Sequence, residues 1–415
     1  MYASISAGNH RRTKTLSVLT VRLQSTLVAT AMSACGATAI VAQMAVPRSD
    51  RELVLSPIWK VVGEGRGMPA ADATAAFFLS KRHEVLAVDA ATGAIRWRQN
   101  TGEPGDTTQG SAVVLAGPTV AVGDYDLFGF DRVSGALRWR FVPTDGYAPG
   151  LYLGGASNQT IYTGSAAGRA YAVDQMTGRL RWSALIVDGG QTTVYAPVTD
   201  DDIVAVGYTT FTAPATGGVA VIESVSGHVR WRTPFPRPSD ISLNTNTGGA
   251  PVVTDDSVIA AAGDGEVVAF DRVTGVVRWS IPKLSGVPAS LGPTDYDMRP
   301  VARIGRTLLV GSLFGYVVAY DLDTRRELWR YDGSQYGSIG LVMTTDDRTV
   351  YVPYASIRLV ALNASDGSER WGIGDFDAPF IWAAFPLGDR VYVSSSRAGF
   401  FAFPWDSLQS AGTRP

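Results

Sequence analysis

From about residue 53 to residue 405 the chain alternates short β-branched and aromatic runs with polar turns, and the alternation recurs as a unit. In Val267–Ser280 (VVAFDRVTGVVRWS) an apolar run ends at Asp271, Thr274-Gly275 turns the chain, and a second run carries Trp279. Such a segment predicts a β-hairpin whose Gly supplies the positive-φ position of the turn. The same frame appears at Asp89/Trp97, Asp131/Trp139, Asp174/Trp182, Glu223/Trp231, Asp321/Trp329 and Asn363/Trp371, always with eight positions from the first residue to the Trp. Successive Trp residues of the frame stand 42 to 50 positions apart. A rigid spacing inside the unit with a looser outer period is the mark of a repeat architecture.

Two further apolar runs precede each hairpin, as Ala250–Val253 and Ser257–Ala262 do for the Asp271 unit. Four short antiparallel strands per unit predict propeller blades. The ends fix the number and the closure. Ile381–Pro404 has the first three strands of a unit without its Trp strand, whereas Leu53–Val62 has a Trp strand, with Trp59, and nothing before it. The two fragments complement each other and predict an all-β, eight-bladed β-propeller closed by the N-terminal strand, which leaves few exposed edges. The eight docking residues are then Trp59, Trp97, Trp139, Trp182, Trp231, Trp279, Trp329 and Trp371. Each could bury ~150–250 Å², or up to about 4–6 kcal/mol at ~25 cal/mol/Å².

The A-x-D-x-x-T-G-x-x-x-W unit, clearest in Ala87–Trp97, Ala172–Trp182 and Ala269–Trp279, resembles the pyrroloquinoline-quinone (PQQ) type propeller repeat, and most closely the BamB-type scaffold of outer-membrane protein assembly. The resemblance implies a non-catalytic scaffold with a protein partner at an envelope membrane. As that family is known, partner contact uses a Leu-x-Leu-Arg stretch and a later acidic stretch. This chain has Gln191–Tyr195 and Asn244–Asn246 at the corresponding places, so the scaffold carries over and the specific partner does not.

Composition sharpens this. Residues 1–46 contain no acid and hold Arg11, Arg12, Lys14 and Arg22; without them 32 basic residues face 38 acidic ones, a balance that argues against nucleic acid as a partner. The basic flank, apolar run and small residues of that segment read as an export signal or membrane anchor. Its Cys35, the only cysteine, stands in Met32-Ser33-Ala34-Cys35, an approximate lipobox, and is the candidate for lipidation and a membrane tether. The expected organisation is a leader and tether over 1–46, the propeller over 47–406 and a tail over 407–415, with the propeller outside the cytoplasm. The lack of other cysteines leaves the ring to packing and hydrogen bonds.

Catalytic chemistry is thin. No adjacent cysteines and no assignable carboxylate set for a calcium ion accompany the PQQ-like repeat, so neither PQQ nor calcium is expected. His83 and His228 fall in turns at opposite ends of the ring and form no zinc or general-base pair. The acids at 200–202, 255–256 and 346–347 recur at one turn and are explained by turn chemistry. Two rival readings remain, a dehydrogenase-like quinone binder and a ligand-sensing ectodomain. For the scaffold reading, the candidate surface is formed by Gly207–Gly218, Thr233–Gly249 and Ile281–Arg299, three long connections at one end of blades 4 to 6. It offers Phe211, Phe235, Leu243, Leu291 and Tyr296 as apolar anchors, with Asp240, Asp295 and Asp297 around them.

Overall fold

The computed structural model describes residues 56–405 except 103–111, 145–149, 158, 190–191, 212–215, 237–249, 263–265, 283–297, 313, 338, 340–342, 355–357 and 374–380. The fold described is that of the unit Arg51–Pro415.

Its strands pair in antiparallel order within each repeat. Blade 1 is Gly65–Ala71, Ala75–Ser80, Glu84–Asp89 and Ile95–Asn100; blade 2 is Ala112–Ala116, Thr119–Gly123, Leu127–Asp131 and Leu137–Phe141. A parallel bridge between Met68 and Ala112 joins these two into one eight-stranded sheet. Blade 3 runs from Leu151–Ser157 to Leu180–Leu185, blade 5 from Val252–Val253 to Val277–Ile281, blade 6 from Met298–Ile304 to Glu327–Asp332 and blade 7 from Thr344–Thr345 to Glu369–Ile373, each with four strands. Blade 4 has Val198–Asp200, Ile203–Thr210, Thr216–Glu223 and Val229–Pro234, plus a fifth strand, Thr192–Val194, laid beside Ile203–Thr210.

The closing blade joins both ends of the unit. Ile381–Leu387, Arg390–Ser395 and Gly399–Pro404 pair in sequence, and Trp59–Val61 completes them with Trp59 opposite Ala402 and Val61 opposite Phe400. An apolar cluster fills each seam between neighbours. One example holds Trp97, Phe77 and Phe130 between blades 1 and 2; another holds Trp59, Phe78 and Tyr392 between the closing blade and blade 1. This succession, closed on itself, is a β-propeller.

The repeated hairpin has a bulge that the spacing alone does not reveal. In blade 1 Trp97 lies opposite Ala87 and Ile95 opposite Val88, so Arg96 is the extra residue. The same skip occurs at Arg138, Arg181, Arg230, Arg278, Leu328 and Arg370. A bulge re-aims its side chain. In five blades the bulged Arg meets the acid that opens the turn: Arg96 and Asp89 at 2.8 Å, Arg181 and Asp174 at 2.6 Å, Arg230 and Glu223 at 3.4 Å, Arg278 and Asp271 at 3.6 Å, and Arg138 with Asp131.

Candidate functional site

The turn acids are the first candidates for chemistry, and their geometry shows them occupied. Asp89 Oδ1 accepts the backbone N–H groups of Ala91 and Thr92 at 3.1 and 2.9 Å and the Thr92 hydroxyl at 2.9 Å, while Oδ2 accepts Arg96. Asp131, Asp174, Asp271 and Asp321 repeat the Oδ1 part with Ser134, Thr177, Thr274 and Thr324. Hydrogen bonds from Arg181 and then Thr177 outweigh desolvation and hold the Asp174 carboxyl down at about 2. At Asp72 burial pushes upward, but Arg132 and Thr74 together bring it to about 2. Carboxylates so fully engaged shape a turn and are poor acids or bases at neutral pH.

The opposite side of six of these hairpins receives the Trp of the preceding blade. Trp59, Trp97, Trp139, Trp182, Trp231 and Trp329 are buried, and each donates Nε1–H to a carbonyl of the next blade's turn at 2.9–3.2 Å, from Ala90 for Trp59 to Ala364 for Trp329. The turn glycine lies flat against the indole. A Cβ on Gly93 would stand 2.6 Å from the Trp59 ring, and Gly135, Gly178, Gly227, Gly275 and Gly367 are held the same way, all at positive φ. Trp371 is buried too, in the seam before the closing blade. Trp279 is different: it is only partly buried, and among the described residues its indole makes no such bond. All eight thus lie at seams, seven of them buried.

A buried polar cluster is the second candidate, and its convergence is invisible in the sequence because its members lie far apart there. Asp124, just after the second strand of blade 2, is fully enclosed. Its Oδ1 lies 3.4 Å from Arg66 on the first strand of blade 1, and its Oδ2 accepts from the Thr101 hydroxyl at 2.9 Å and lies 2.7 Å from His83 Nδ1. His83 sits in the turn between the second and third strands of blade 1, at a φ of 61°. Three groups of blade 1 therefore grip one carboxylate of blade 2. Both its oxygens are engaged, which makes it a clasp between blades.

The predicted partner surface is met only in part by the described residues. Leu243, Leu291, Tyr296, Asp240, Asp295 and Asp297 lie outside them, as does Cys35. Phe211 is partly buried, just beyond the second strand of blade 4. Phe235 corrects the expectation: it is 8% exposed, its ring 6.0 Å from Phe270 in the core between blades 4 and 5, and its N–H bonded to Gly217 O. The fourth strand of blade 4 runs long enough to carry Phe235 inward, so it is a core residue and unavailable as an anchor. The Gly207–Gly218 connection is also largely strand. Pairing continues out to Thr210 and Thr216, which share a 2.9 Å hydroxyl contact, and Thr192–Val194 pairs alongside, opposite Tyr208–Thr210. Blade 4 thus extends as an arm of paired strands. Among the described residues no cluster of three or more His, Cys, Asp or Glu could hold a metal ion, and no helix is long and apolar enough to cross a membrane.

A ring of such blades places the chain in the PQQ-type propeller class. The family described as outer membrane protein assembly factor BamB matches residues 50–208, 188–312 and 313–407, and the chain belongs to it. The outer membrane protein assembly factor BamB of Yersinia pestis is 21% identical over 347 residues, 81% of this chain and 75% of that protein. The crystal structure of BamB from Moraxella catarrhalis superposes with a TM-score of 0.64 at 18% identity, over 85% of this chain and 100% of that one. The quinohemoprotein alcohol dehydrogenase of Comamonas testosteroni also has a TM-score of 0.64, at 14% identity, over 88% of this chain and 77% of that one. At these identities the two structures speak to fold alone.

Proposed function

We propose that this protein is a non-catalytic scaffold of outer-membrane protein assembly: an eight-bladed ring held outside the cytoplasm, tethered through a lipidated Cys35, that binds a protein partner on the face bearing the blade 4 arm. Membership of the assembly-factor family supports the process. The observation that carries the site is the arm itself, a hairpin prolonged to Thr210 and Thr216 and backed by an additional strand. Prolonged, hydrogen-bonded strands make a rigid support, which a binding surface requires. Cutting the arm back to the length of its neighbours should leave the fold intact and abolish co-purification of the assembly partner. Retention of the partner would refute the site, and a diacylglycerol mass at Cys35 tests the tether separately.

The dehydrogenase-like fold favours one rival, a quinone binder. Among the described residues no group of three or more His, Cys, Asp or Glu comes together for the calcium ion that this reading would need. Thermal denaturation with PQQ and Ca²⁺ should therefore show no stabilisation, because stabilisation requires binding to the native state. A saturable rise in melting temperature at micromolar quinone would replace the scaffold reading with that rival.

A further inference from the structure

We infer that the ring has one built-in compliant joint, the seam between blades 5 and 6, where local opening occurs before it does at any other seam. The cause is a single side chain. Blade 6 keeps the Asp321-x-x-Thr324 part of the turn, but the glycine position is filled by Arg325, which adopts a φ of 59°. At the six glycine turns a Cβ would stand only 2.3–2.7 Å from the docked indole, closer than two carbons can approach. Arg325 has that Cβ, so the Trp of the preceding blade cannot lie against its turn. Trp279 behaves accordingly: it is only partly buried and makes no Nε1 bond to the turn.

The consequence reaches the cluster around it. The other seven seam clusters each contain a buried Trp, whereas that between blades 5 and 6 is built from Ile259, Ala261, Val267, Ala269, Ile281, Leu308, Val310, Val318 and Tyr320, with Trp279 at its margin. The same turn departs from the repeat once more, carrying Leu328, 52% exposed, at the bulge where blades 1 to 5 and blade 7 have Arg. With no Arg at the bulge, the Asp321 carboxylate is approached instead by Arg306, at 3.7 Å. Arg325 is strained by its positive φ as well, a conformation that costs a non-glycine residue energy. Local opening is drawn from regions with fewer buried apolar contacts, and a closed ring opens where neighbouring sheets are least tied.

Hydrogen exchange on the full chain tests this. Amides of Val277–Ile281 should exchange at least tenfold faster than those of Val229–Pro234, the matching strand of blade 4. Arg325→Gly should bring the two within about threefold and raise the melting temperature. Equal protection in the natural protein, or unchanged fast exchange in the variant, would overturn the joint. The reciprocal change Gly275→Arg should move fast exchange to Val229–Pro234 by dislodging Trp231. If that variant does not fold, the Arg325→Gly result decides alone.

Discussion

The two ends of the propeller follow opposite rules. At the end carrying the third-to-fourth strand turns, one arrangement recurs from blade to blade: an acid capping the turn, an Arg on a bulge reaching the acid, and a glycine against the next indole. At the other end, blade 4 builds an arm with its own additional strand while blade 1 makes a tight turn through His83. The contrast teaches where the constraints lie. Blade-to-blade packing runs through the turn end, so variation there is costly, and the opposite end is left free to differ between blades and to carry function.

Changes that open the turn-end packing should therefore cost the most. Deleting residues 53–62 removes Trp59 and the strand that completes the closing blade, a loss of up to about 4–6 kcal/mol; deleting 1–46 should cost far less. Calorimetry of the two truncations separates them, and equal melting would contradict the closure. Asp124→Ala comes next, because it removes one partner of a buried ion pair and the acceptor of Thr101 and His83 with it, at about 3–5 kcal/mol by denaturant titration. Gly178→Ala should cost ~1–3 kcal/mol through overpacking against Trp139, over and above its positive-φ penalty. Acid tests the turn caps more gently. The Asp174 carboxyl is held at about 2, below its ordinary 3.8, so its stabilisation is present above pH ~4 and fades as pH falls towards 2. Because the Arg181 pair is largely at the surface, Asp174→Asn should flatten that part of the acid limb by no more than about 1 kcal/mol. At the other end, Phe211→Ala, partly buried but outside the seam clusters, should cost no more than about 1 kcal/mol.

Much of this was legible in the sequence. The eight-position frame placed the hairpin strands and their Trp residues at the seams, because hairpin geometry ties residues close in sequence, though it did not foresee that Trp279 stays undocked; the pairing of Trp59 with the C-terminal strands was legible from the two incomplete end units. Three things were not. The bulged Arg stands beside the Trp in the chain, yet nothing in simple alternation marks it as the partner of an acid seven positions earlier. Phe235, in a proline-rich connection, reads as loop, whereas the strand before it carries it into the core. The clasp on Asp124 joins residues 23 to 58 positions away, a distance at which only the folded ring brings them together. The Arg325 departure was visible as a letter, but its effect on Trp279 needed the indole in place.

The claim that matters most is that the partner is read by the arm-bearing face. Photo-crosslinking in the native host, from position 211 beside the arm tip and from position 225 at the tip of the blade 4 turn, tests it most directly. Val225 is 89% exposed, so access does not bias the comparison against it. The account predicts an adduct with an outer-membrane assembly component from 211 and none from 225. An adduct from 225 alone would put the working surface at the turn end and contradict it.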